Sequence, residues 1–152
     1  WTGLWGSAPS VAANATVDGG GRAGQGRGMM TNFLSVAAGG AIGASARYAV
    51  NLAALRLFGA GFPVATLGVN VLGSFLMGLM AVALAERGGA LSPFLLTGVL
   101  GGFTTFSAFS LDTLALWERG QAGLAVTYVI LSVAASLLAV FAGLAIGRSI
   151  LA

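Results

Sequence analysis

The sequence predicts an all-α membrane protein of four spanning helices, and three observations carry that prediction. The chain is 57% hydrophobic and 7% charged over 152 residues, whereas soluble domains carry about a quarter charged residues. Its mean hydropathy is +0.94. Four apolar runs, separated by short passages of Gly, Pro and charged residues, are each long enough to cross a hydrocarbon core of about 30 Å. The same composition excludes several function classes. Without Cys or His the chain has no disulfide framework, thiol nucleophile, imidazole base or common zinc ligand. The seven basic residues are all arginines, and although the net charge is +3 they are scattered and form no patch, so nucleic acid is not an expected partner. No helix face carries paired carboxylates, so an enzyme is not expected either.

Residues 1–28 are rich in Gly, Ala and Ser, lack apolar periodicity and end in Gly19-Gly20-Gly21-Arg22-Ala23-Gly24-Gln25-Gly26-Arg27-Gly28. They read as a disordered or artefactual tail rather than a signal peptide, with the membrane domain over residues 29–152. The first span is expected over Asn32 to Phe58. Within it Gly39, Gly43 and Arg47 recur every four residues and share one helical face. The glycines suit a close helix–helix seam. Arg47 lies deep in an apolar segment, where an arginine either faces a cavity or partner or snorkels to the interface. Arg56, nearer the end, reads as an interface anchor.

Gly59-Ala60-Gly61-Phe62-Pro63 forms a turn into the second span, Pro63 to Ala85, with Pro63 suited to a first helical turn. Thr66, Asn70 and Ser74 fall on one stripe of this span. Asn70 stands out because a primary amide has two donors that lipid cannot satisfy; it serves either a site or a bond between helices.

The third span, Pro93 to Trp117, contains Gly101-Gly102-Phe103-Thr104-Thr105-Phe106-Ser107-Ala108-Phe109-Ser110, and the chain is organised around it. Two glycines, two threonines and two serines at the midpoint of an apolar helix predict a break, beginning at Gly101-Gly102, because Gly costs about 1 kcal/mol against Ala in a helix interior. Backbone released from helical bonding in hydrocarbon must find partners in protein, water or an ion. Phe106 and Phe109 then share a face of the following helix, either as packing or with ring edges presented to an anion. Asp112 follows one turn later.

Glu118-Arg119-Gly120-Gln121 turns the chain into the fourth span, Ala122 to Gly147. Tyr128, Ser132 and Ser136 repeat the four-residue stripe, as a polar track or as hydroxyls bonded to their own helix. With the tail set aside, Arg87 and Arg148 fall on one side of the membrane and Arg56 and Arg119 on the other. That tie removes the usual signal for orientation, so both insertions, and an antiparallel pairing of opposed copies, are expected.

Gly39-Gly40 through Gly43 to Arg47-Tyr48, the run Thr66-Leu67-Gly68-Val69-Asn70-Val71-Leu72-Gly73-Ser74-Phe75, and Gly101-Gly102-Phe103-Thr104-Thr105-Phe106-Ser107 together resemble the small fluoride channels called Fluc or CrcB. The resemblance runs from Asn32 onward in all four spans. It implies a four-helix subunit, its third helix broken at the midpoint, that works as a dual-topology antiparallel homodimer in the bacterial plasma (inner) membrane and passes fluoride passively. It further implies a structural sodium ion held by the backbone carbonyls of Gly101 and Thr104, and a fluoride pathway formed by Asn70, Phe106, Phe109, Ser107, Ser132 and Ser136 with Arg47 at its vestibule. Two departures from the family pattern are Ala108, where Thr is frequent, and Asp112, where Glu is usual. A small proton-coupled multidrug-type transporter is the alternative, and Asp112 is its one plausible coupling carboxylate.

Overall fold

The computed structural model describes residues 19–86 and 91–151. Residues 1–18 and Arg87 lie outside them, and with them most of the expected tail and one member of the arginine balance. The described chain is all helical: α1 (Gly19–Phe58), α2 (Val64–Glu86), a π-helix (Pro93–Leu100) running into α3 (Gly101–Phe103), α4 (Phe106–Glu118) and α5 (Ala122–Leu151). Among the described residues four segments are long and apolar enough to cross a membrane, Gly28–Phe58, Val64–Ala85, Pro93–Glu118 and Ala122–Ile150, which makes this a multi-pass membrane protein.

Their bounds follow from turn chemistry. Gly59 closes α1 with a positive φ of 72°, its N–H donating to Leu55 O at 3.0 Å. Gly120 does the same after α4 at φ 75°, and the Gln121 N–H reaches back to Leu116 O, satisfying carbonyls that the helix end leaves bare. α1 starts at Gly19, so it takes in the glycine-rich passage assigned above to the tail. The apolar stretch of that helix begins only at Gly28.

Two helix pairs organise the packing. α2 lies against α5, and α1 lies against the π-helix and α3. Both contacts are backbone to backbone and depend on glycine. A Cβ at Gly78 would strike Val140 O, and one at Gly143 would strike Phe75 O, from opposite sides of the α2–α5 seam. Across the α1 seam, a Cβ at Gly39 would strike Phe94 O and one at Gly43 would strike Val99 O. This is the close approach that the Gly39/Gly43 spacing predicted. Large apolar side chains such as Phe33, Leu57, Leu138 and Phe141 are exposed, as lipid-facing residues are in a chain viewed alone. The small interior is built around Tyr128, Leu116 and Val69.

Candidate functional site

The third span breaks at Thr104-Thr105, not at the paired glycines. Gly101–Phe103 remain helical, while Thr104 (φ −79°, ψ 157°) and Thr105 (φ −154°, ψ 120°) are extended. The expected start of the break is therefore corrected by two to three residues. Gly102 has another reason to be there: a Cβ at this position would come within 2.7 Å of Gly40 O, so it keeps α1 close rather than opening the helix.

Hydrogen bonds define the break. The Thr104 N–H and Oγ1 both donate to Leu100 O, each at 3.0 Å. In a continuous helix the next N–H, that of Thr105, would donate to Gly101 O. It donates instead to Asn70 Oδ1 at 2.8 Å, and Asn70 Nδ2 donates to Thr105 O at 3.0 Å. The Asn70 side chain thus pairs with Thr105 as a neighbouring strand would, satisfying one donor and one acceptor that hydrocarbon cannot. This pairing deprives the Gly101 carbonyl of its helical donor. It also leaves Asn70 one N–H uncommitted by these bonds, since a primary amide has two. Thr105 Oγ1 accepts from Ala108 N at 3.1 Å and so caps α4.

Below the break is a cavity of about 340 Å³, lined by Asn70, Gly73, Ser74, Thr104, Thr105, Phe106 and Phe109 on one side and by Ser132, Ser136 and apolar residues of α5 on the other. Five of the seven expected pathway residues meet there: Asn70, Phe106, Phe109, Ser132 and Ser136. The other two do not line it. Ser107 is exposed, its Oγ 3.2 Å from Thr105 Oγ1. Arg47 is half-buried elsewhere, its Nε donating to Gly102 O at 3.2 Å, so it is tied to α3. Gly73 keeps room for the break, because a Cβ there would strike the Thr104 side-chain methyl.

Four rings run from the cavity into the protein. Phe106 and Phe109 have centroids 5.4 Å apart, Phe109 and Tyr128 also 5.4 Å, and Tyr128 meets Phe62 edge-on at 5.5 Å. Phe106 is 78% exposed and Phe109 9%, so the pair spans the passage from open surface to interior. The Tyr128 hydroxyl donates to Asp112 Oδ2 at 3.4 Å and lies beside the Thr66 and Ser132 hydroxyls. Ser132 is only 4% exposed, and among the described residues its Oγ reaches no partner within hydrogen-bond geometry. An unpaired buried hydroxyl costs about 1–3 kcal/mol, so one on a cavity wall is a place for a ligand to bond. Thr66 and Tyr128 belong to this cluster although sequence reasoning left them outside the site; their place on the stripes of Asn70 and Ser132 was the available signal.

This arrangement can be set beside known proteins. A family model described as "CrcB-like protein, Camphor Resistance (CrcB)" matches residues 34–144. The chain belongs to that family. It is 61% identical over 120 residues to the fluoride-specific ion channel FluC of Cereibacter sphaeroides, covering 79% of this chain and 97% of that one. The protein of the same name from Paracoccus denitrificans is 59% identical over 125 residues, 82% of this chain and all of its own length. That of Agrobacterium fabrum is 52% identical over 124 residues, covering 80% and 99%. All of the site residues named above, from Arg47 to Ser136, fall within the stretch matched to the CrcB model. In a CrcB-family chain the break, Asn70 and the ring pair are therefore placed in the region the family shares.

Proposed function

We propose that this chain forms a passive, fluoride-selective channel, and the observation that carries the reading is the cavity joining Asn70, Phe106, Phe109, Ser132 and Ser136. Fluoride is small and strongly hydrated, so a path for it must replace water with donors without holding the ion fast. The free N–H of Asn70, the unpartnered Ser132 hydroxyl and Ser136 are such donors, and the two ring edges offer weaker, partly positive surface between them. α4 begins at the cavity, which adds the positive end of its dipole. Among the described residues the cavity wall contains no titratable side chain, which favours uncoupled conduction over proton-coupled transport. Asp112, the carboxylate a coupled transporter would need, is half-buried against Tyr128 and outside that wall.

The finer reading is a dual-topology antiparallel homodimer in the bacterial inner membrane. The Phe106 side of the cavity is open in the single chain, which fits closure by a second copy. A sodium ion fits the break, because the Thr105 N–H turns to Asn70 and the Ala108 N–H to the Thr105 hydroxyl, which leaves the Gly101 and Thr104 carbonyls without their usual helical donors and suited to a cation that takes oxygen ligands. Bound there, it would offset the dipoles of carbonyls that lack helical partners.

The test is fluoride efflux from liposomes reconstituted with the purified protein, read with a fluoride electrode against chloride-loaded controls. Fast fluoride efflux with no chloride efflux is expected, together with its suppression in Phe106→Ile, which keeps apolar bulk but removes the ring edge. Folded protein that passes no fluoride with sodium on both sides would overturn the reading.

A further inference from the structure

A second cavity, of about 310 Å³, opens where the last turns of α1 and α4 meet the first turn of α2. Its wall includes Asn51, Phe58, Thr66, Asp112 and Arg119. Arg119 Nη1 donates to Ala60 O at 3.3 Å, which holds an exposed guanidinium over the α1–α2 turn at the rim. Asn51 is tied back to Arg47 O at 3.1 Å and so fixes the opposite wall. The two cavities share no wall residue, but one phenol group separates them. Thr66 and Asp112 line the outer cavity and stand against the Tyr128 hydroxyl, and beside that hydroxyl is Ser132, which lines the inner one.

Building on the fluoride pathway proposed above, we propose that the outer cavity is a water-facing mouth of that pathway and that Arg119 is the residue that collects the anion there. The charges give Arg119 its task. An anion approaching Thr66 must pass the Asp112 carboxylate, which repels it, and a guanidinium at the rim offsets that repulsion where the ion still has water around it. The first turn of α2 lines the same space and adds the positive end of its dipole. Arg47 does not line this cavity, its Nε being bonded to Gly102 O on α3. Because the Arg119 head is exposed, its effect is long-range and screened, and salt is the natural probe.

The experiment compares initial fluoride efflux for wild type, Arg119→Gln, Arg119→Lys and Arg56→Gln in liposomes at about 10 mM and about 1 M of a non-permeant salt, where screening lengths are about 30 Å and 3 Å. Arg56 is an exposed arginine near the same end of α1 that does not line the cavity, so it reports general surface charge. The expected result is a loss of about two- to fivefold for Arg119→Gln at low salt that shrinks below about 1.5-fold at high salt, with Arg119→Lys and Arg56→Gln close to wild type. No loss at low salt overturns the proposal. So does a loss that persists at high salt or appears equally in Arg119→Lys, which would make Arg119 a brace for Ala60, or an equal loss in Arg56→Gln. A wild-type chain that passes no fluoride overturns the channel reading itself, so the two failures are distinguishable.

Discussion

Upstream of Thr104 the third span lies on α1 backbone against backbone, with Gly98 set on Gly39 and Gly102 on Gly40, while downstream it is held by side chains. There the Asn70 amide grips Thr105, the Thr105 hydroxyl caps α4, and Phe109 packs its ring on Tyr128. At Gly98 and Gly102 the upstream half has no room for an added atom. The downstream half depends on a few hydrogen bonds, each with an identifiable partner. Two glycines and four hydroxyl residues share ten positions of one span, yet Gly102 does the packing and the threonines make the break.

The comparison is broken most easily at the α1 seam. Gly43→Leu places atoms where Val99 O and the Phe103 N–H already are, the latter 2.8 Å from an ideal Cβ. Backbone cannot yield as a flexible side chain does, so the cost is expected at about 3 kcal/mol or more. The result would be loss of a monodisperse peak in size-exclusion chromatography and a collapse of the melting transition in detergent. A Gly43→Leu protein that melts like wild type would mean that the two segments do not lie backbone to backbone.

Removing the Asn70 side chain is the next largest change, and it acts on the other half. Asn70→Ala leaves the Thr105 N–H and carbonyl unpaired at membrane depth, a loss of about 2 kcal/mol or somewhat more. Unlike the seam variant, Asn70→Ala is expected to remain folded and to lose fluoride efflux, because the break it shapes forms one wall of the cavity. Melting temperature and efflux measured on one preparation separate the two. Efflux retained in Asn70→Ala would show that the break holds its shape without the amide.

Composition and turn chemistry made the four spans legible, with ends within a few residues of those found for all but the start of α1. The inward-facing stripe positions Asn70, Ser132 and Ser136 were legible too, because period and polarity agree there. The site of the break was not. Glycine's intrinsic helix cost pointed to Gly101-Gly102, but the α1 backbone 2.7 Å from an ideal Cβ at Gly102 is a tertiary fact with no trace in local sequence. The π-helix over Pro93–Leu100 is equally silent, since its composition is that of any apolar helix. Arg47 was readable as an arginine needing a partner, but that partner, Gly102 O, is 55 residues away.

The smallest expected effect bears directly on what the glycine pair does. An ideal Cβ at Gly102 meets Gly40 O at 2.7 Å, whereas among the described residues one at Gly101 meets only Leu96 O, at an ordinary 3.6 Å. Gly102→Ala should therefore cost about 1 kcal/mol of strain, net of the helix propensity it gains. Gly101→Ala should shift stability by no more than about 0.5 kcal/mol, because the gain in propensity meets no clash among the described residues. The pair is best read as a difference in melting temperature between two single-methyl variants of adjacent residues, since detergent and lipid effects then cancel. If Gly101→Ala lost as much as Gly102→Ala, the added methyl would have to meet something outside the described residues. A second copy closing over α3 is the candidate, and the loss should then depend on protein concentration, which strain inside one chain does not.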